Sequence, residues 1–259
     1  EASTINDMLA ELEAKYPGAK LCMATLDLDF FYKDVTEGPV PGAYERLLTA
    51  VRDRGVPTTV ALAGQTYDIG PFHLDVLAPL ASLDGTRAEN LNSSSIVMMA
   101  TVRSGSPPHL ASESATVREG EQEGVSVGSD SPPLQEGEQE GVSARRILLT
   151  GDAEADVEAA MLERYCNDRT ADAPCPALAA DVLKVPHHGS QDSSSDAFLT
   201  AVAPQHAIIS SGAGNDYGHP HRRALKRLER TGATIWRTDE RGDVTVEFSP
   251  EGLHVVGER

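Results

Sequence analysis

Three short segments of this 259-residue chain gather the residue types that hold metals and move protons. Thr150-Gly151-Asp152, Pro186-His187-His188-Gly189-Ser190 and Gly212–His221 (GAGNDYGHPH) each follow a short apolar run. Asp152, His187, His188 and the His219/His221 pair form an imidazole–carboxylate set, which suits a divalent transition metal such as zinc, manganese or iron. Each element also has a plainer reading. Asp152 before Ala-Glu-Ala-Asp reads as a helix N-cap with acids in the first turn. A single histidine at a strand end is an ordinary satisfied polar residue, Ser190–Ser195 reads as a polar loop capping the next helix, and Asn215 and Asp216 read as turn formers. The adjacent histidines resist that explanation, because one must point away from the other while Gly189 turns the backbone without a Cβ clash. His73, His206 and His254 sit in apolar or strand-like contexts and take no role.

Thirty-six residues separate Asp152 from His188, so only the fold can bring them together. Helical spacing marks Thr4–Tyr16 and Ala43–Arg54, and strand character marks Thr58–Ala63, Phe72–Leu77, Ser95–Val102 and Arg146–Thr150. Beyond Thr150 strands and helices alternate. Ile147–Thr150 leads to a helix at Ala153–Tyr165, Val182–Val185 to a short one at Asp196–Val202, and Ala207–Ser210 to one at Arg222–Arg230. Thr234–Trp236 and Val244–Phe248 then close the sheet. This is a layered α/β pattern. Right-handed crossovers make such strands parallel and put their exits on one edge, where the three polar segments would converge.

Between the arms Ser95–Val102 and Arg146–Thr150, which read as a hairpin, lies a stretch of different composition. Ser104–Ala144 is rich in Ser, Gly, Pro and Glu, includes His109, and carries EGEQEGVS twice, at Glu119–Ser126 and Glu136–Ser143. Eight acids against Arg118 alone give it a charge of −7 of the chain's −18. Such a segment cannot bury enough apolar surface to offset its ordering entropy, and it reads as a disordered acidic insertion at a hairpin tip. The overall charge disfavours tight nucleic-acid binding, which normally needs a basic footprint. No run approaches the roughly 18 apolar residues of a membrane span, and no signal peptide is visible. Cys22, Cys166 and Cys175 form no C-x-x-C pattern and read as free thiols, with a Cys166–Cys175 bridge as the alternative in an oxidising compartment.

LLTGDA (Leu148–Ala153), LKVPHHGSQDSSS (Leu183–Ser195) and ISSGAGNDYGHPH (Ile209–His221) resemble the metallo-β-lactamase-fold domain of ComEC-type DNA-uptake (competence) proteins. GQTYDIGPFHLDVLAP (Gly64–Pro79), NLNSSSIV (Asn90–Val97) and WRTDERGDVTV (Trp236–Val246) are similar to the same family, so the resemblance runs from about Ala43 to the C-terminus outside the insertion. It implies a four-layer αββα sandwich over 1–259 with one or two metal ions, zinc or manganese, at the strand ends. Asp152 would be a metal-bridging carboxylate and His188 a metal ligand; His187 would face the substrate and His219 would sit at the rim, both as catalytic groups. The implied reaction is attack of a metal-activated hydroxide on a phosphodiester or related small ester substrate.

The chain departs from the family in one respect. Its H-x-H-x-D-H motif, which supplies most ligands, is absent, and no histidine precedes His73. Thr4–Lys20 resembles the helix after that motif, so the domain is expected to be N-terminally incomplete, with the motif encoded upstream of Glu1. The alternative is a catalytically inactive fragment or relative that uses the scaffold for binding.

Overall fold

The computed structural model describes residues 49–55, 60–69, 71–82, 90–103, 144–249 and 252–259. Seven strands form one mixed sheet in simple sequence order: β1 (Thr66–Ile69), β2 (Phe72–Ala78), β3 (Val97–Arg103), β4 (Ala144–Leu149), β5 (Val182–Lys184), β6 (His206–Ile209) and β7 (Thr234–Arg237). The first four pair antiparallel, and β4 to β7 pair parallel. The change of direction coincides with the change of sequence pattern after Thr150. Before it, connections can be hairpins; after it, each return needs a crossover helix. Those helices are α1 (Ala155–Tyr165), α2 (Asp196–Val202) and α3 (Arg222–Thr231).

Strand alternation decides which residues face the helices. In β3, Val97 and Met99 join a large buried cluster with Leu148, Leu183, Ile209, Met161, Phe198 and Leu228, while Met98 turns to a smaller cluster with Tyr67 and Val76 on the other face. The short helices are held by specific caps. Ser195 Oγ accepts from Phe198 N at the start of α2, and His221 Nδ1 accepts from Arg223 N at the start of α3. Gly232, in the left-handed region with φ 78°, ends α3.

The strand pairing agrees with the predicted hairpin arms and parallel half, and four details differ. Val60 to Ala63 is irregular rather than strand, because Gln65 folds back, its Oε1 accepting from Leu62 N at 2.8 Å; the edge strand follows as β1. Val244–Ser249 (β8) does not close the sheet. It pairs with Gly252–Gly257 (β9) as a separate antiparallel hairpin, linked to β2 by an edge-to-face contact of Phe72 and Phe248. Helix α1 begins at Ala155, not Ala153, so Asp152 is not its N-cap; Glu154 holds that position, and the Ala155 N–H donates to Asp192 O. Cys166 and Cys175 form a disulfide instead of standing as free thiols. Arg169 Nη1 donates to the carbonyls of Ala171 and Ala173, which folds the segment back and brings the two Cα atoms to 5.6 Å.

Ala144, placed by the sequence at the end of the acidic insertion, opens β4. Residues 104–143, the predicted helix Thr4–Tyr16 and Cys22 lie outside the described residues. Among the described residues no helix is long and apolar enough to cross a membrane.

Candidate metal centre

The ends of β4, β5, β6 and β7 are stitched together along one edge of the sheet. Thr150 Oγ1 donates to Lys184 O at 2.6 Å, and His187 N donates to Gly151 O at 3.1 Å. Val185 N reaches Ile208 O, and Ser211 exchanges two hydrogen bonds with the Thr238 hydroxyl. The three polar segments read from the sequence are therefore neighbours in space.

The turn after β5 is unusual. His187 (φ 48°), His188 (φ 53°) and Gly189 (φ 79°) are all in the left-handed region. Non-glycine residues pay about 1–2 kcal/mol each for that conformation, and such strain concentrates at functional sites. The strain splays the two imidazoles, whose centroids lie 6.4 Å apart. His188 Nδ1 lies 2.7 Å from Ser210 O, a carbonyl that can only accept, so Nδ1 carries the proton. In the neutral ring the lone pair is then on Nε2, which lies 3.6 Å from Asp152 Oδ1. A carbonyl that fixes the tautomer from behind is the usual support of a metal-binding histidine. Asp152 and His188 present one oxygen and one nitrogen donor at a spacing too long for a hydrogen bond between them, which fits two ligands of one cation. Among the described residues no group of three or more His, Cys, Asp or Glu side chains is placed to hold a metal ion.

His187 turns the other way. Its Nδ1 lies 3.1 Å from Glu154 Oε1, and its ring is 5.7 Å from that of His219. The loop bearing His219 is shaped by Asn215, whose side chain accepts from His219 N and donates to His219 O and Gly212 O. Tyr217, largely exposed, stacks on His219 with an interplanar angle of 9°. His221, grouped with the site by the sequence, instead caps α3. His206 bonds to Trp236 Nε1, and His73 lies against Asp68 and Asp75 away from this edge.

Four contributors escaped the sequence reading. Glu154 looked like an ordinary first-turn acid. Asn90 and Asn92 lie more than sixty residues upstream of it, yet both donate to its carboxylate at 2.8 Å. Lys184 ends β5 with its ammonium buried, which lowers its pKa below the ordinary lysine value, while the charge of Asp152 opposes that shift.

Gly189 ties the turn to the His219 loop. Its carbonyl accepts from His221 N at 2.8 Å, and a Cβ added to it would come within 2.8 Å of Pro220 Cβ. Gly189→Ala is therefore expected to cost about 1–3 kcal/mol from overpacking and a left-handed alanine. Thermal unfolding checks this, and an unchanged midpoint contradicts it.

No protein-family model matches the chain. Stretches of it are similar to three proteins with related names. It is 37% identical over 101 residues to the ComE operon protein 3 of Bacillus subtilis, covering 39% of this chain and 12% of that protein. It is 36% identical over 96 residues to the Competence protein ComA of Neisseria gonorrhoeae (37% and 13%). It is 38% identical over 109 residues to Recombination protein 2 of Haemophilus influenzae (42% and 12%). These stretches span about an eighth of each relative's length, and they support a ComEC-type competence family at modest identity and coverage.

Proposed function

We propose that the chain is the hydrolase portion of a ComEC-type competence protein, with a metallo-β-lactamase fold, cleaving a phosphodiester or related ester with the help of a divalent metal. The relatives' names speak of competence and recombination, processes that handle DNA, and a phosphodiester is the bond such processes cut. The observation that carries the reading is the Asp152–His188 pair, with the lone pair of a carbonyl-fixed imidazole facing a carboxylate at the exits of parallel strands.

Asp152 and His188 would hold zinc or manganese, and further ligands would come from residues outside the described ones or from water. A metal held there supplies charge neutralisation and a more acidic water. The chain's own contribution is the arrangement around it. His188 is fixed by Ser210, and the stitched exits of β4 and β5 hold Asp152 beside it. His187 and His219, side by side, serve to accept a proton during attack on phosphorus and to return one to the departing oxygen. The acidic character of the chain argues for a small or single-phosphodiester substrate over extended contact with a nucleic-acid backbone.

The test uses bis(p-nitrophenyl) phosphate as probe with zinc or manganese added, on the chain as it stands and on one carrying an upstream H-x-H-x-D-H segment. The extended chain is expected to turn the probe over and the chain as it stands hardly at all. A second reading, a non-catalytic relative that uses the scaffold for binding, rests on the missing H-x-H-x-D-H motif. It prevails if the extended chain retains metal and still leaves the probe intact.

A further inference from the structure

We propose that Glu154 is a positioning residue for His187, and that Asn90 and Asn92 hold Glu154 in that role; this rests on the hydrolase reading above. Glu154 is the N-cap residue of α1, yet its side chain makes no cap hydrogen bond there. Oε1 receives Asn92 Nδ2 at 2.8 Å and lies 3.1 Å from His187 Nδ1, while Oε2 receives Asn90 Nδ2 at 2.8 Å. The carboxylate is 21% exposed and His187 13%, so the contact is shielded from bulk water on both sides. The Asn90 side chain also accepts from Asn92 N, which locks the two amides into one clamp.

This clamp has a chemical consequence. A carboxylate can only accept, so whatever faces it must donate. Both amides offer N–H groups, and the 3.1 Å position left for His187 favours the proton on Nδ1 in the neutral ring. The lone pair then lies on Nε2. His187 therefore meets its substrate as a proton acceptor of defined orientation, through the same carboxylate–imidazole logic that serves hydrolases on unrelated folds. The 3.1 Å contact lacks the alignment of a full hydrogen bond, as is common for catalytic contacts before substrate engages. The two imidazoles of the turn thus face different acceptors, His188 bonded to a backbone carbonyl and His187 in a 3.1 Å contact with a clamped side chain.

A merely structural Glu154 would have no reason to set the tautomer of one particular ring, and ring-nitrogen chemical shifts of the ¹⁵N-histidine-labelled chain read this directly. At a pH where imidazoles are neutral, His187 in the unaltered chain is expected as the Nδ1–H tautomer. In Glu154→Gln, whose amide N–H₂ must face another donor, His187 is expected to become a mixture of tautomers, with the His188 signals unmoved. Asn92→Ala is expected to do the same more weakly. With bis(p-nitrophenyl) phosphate as probe on the chain extended with an H-x-H-x-D-H segment, Glu154→Gln is expected to lower kcat by about 10- to 100-fold with little change in KM. An Nε2–H tautomer for His187 in the unaltered chain overturns the proposal without any variant being needed. So does a Glu154→Gln chain whose His187 signals stay in place. If the tautomer behaves as expected while no form of the chain turns over the probe, the positioning contact stands and the hydrolase reading falls.

Discussion

Asp152→Ala is expected to abolish retention of zinc or manganese by the chain extended with an H-x-H-x-D-H segment, whereas His187→Ala is expected to retain metal at the parent stoichiometry. The two residues lie in adjoining turns, joined by the hydrogen bond from His187 N to Gly151 O, so a general disturbance of the site would affect both variants alike. The difference comes from their partners. Asp152 offers an anionic oxygen 3.6 Å from the Nε2 lone pair of His188, and alanine offers no donor in its place. His187 faces away, toward Glu154 and His219, where no donor of the proposed pair lies. Its loss removes a proton-transfer group, which typically costs about 10²-fold or more in turnover. Mass spectrometry of purified chains gives the metal content, and bis(p-nitrophenyl) phosphate gives the rate. The chain as it stands is expected to bind metal weakly, since the two protein ligands among the described residues do not fill a tetrahedral shell. Stoichiometric metal in that chain, lost on Asp152→Ala, contradicts the expectation that further ligands are required.

The convergence of these segments was legible in the sequence, and the reason is local. Strand exits in α/β sheets collect polar groups, so Thr150-Gly151-Asp152 and Pro186–Ser190 announced themselves as segments, and parallel pairing of β4, β5 and β6 placed them together. The division of labour within them was not legible from spacing. Which of His187 and His188 faces Asp152 depends on two consecutive left-handed residues, a conformation that no propensity assigns to histidine. Glu154 was hidden because its role depends on Asn90 and Asn92, more than sixty residues away, while its type and place were already explained by helix-start electrostatics. The hairpin β8–β9 was misassigned to the sheet for a related reason: alternation in Val244–Phe248 specifies a strand but not its partner. The disulfide had a plausible spacing, but only the fold of residues 167–174 around Arg169 decides whether the two Cα atoms meet.

The same long-range dependence makes Glu158 the most consequential residue outside the site. It is wholly buried on α1, and its carboxylate accepts from the N–H groups of Ser194 and Ser195 at 2.5 and 2.8 Å. Ser194 is held at φ 59°, and the neighbouring Ser193 hydroxyl bonds to the carbonyls of Pro186 and Ser190, so Glu158 anchors the loop that supports the His187–His188 turn. Glu158→Gln keeps the shape but turns an N–H₂ toward one of two backbone donors. It is expected to destabilise the protein by about 2–4 kcal/mol, because a buried donor is left unmet and the anion-strength bonds are lost. Burial also pushes the Glu158 carboxyl above its ordinary value of 4.5, against the opposing pull of the Ser195 and Ser194 hydrogen bonds and of Arg227. The sign of the pH effect follows. Between the ordinary value and the raised native one, the folded chain keeps a proton that the unfolded chain has released, so stability falls as pH rises through that window and levels off above it. Glutamine has no such proton, and the Glu158→Gln chain is expected to lose this segment of the pH dependence while being less stable throughout. Denaturant unfolding of both chains across the acid range measures the difference between them. A gap that stays constant with pH, or that widens as pH rises through the window, shows that the carboxyl is not raised in the folded protein.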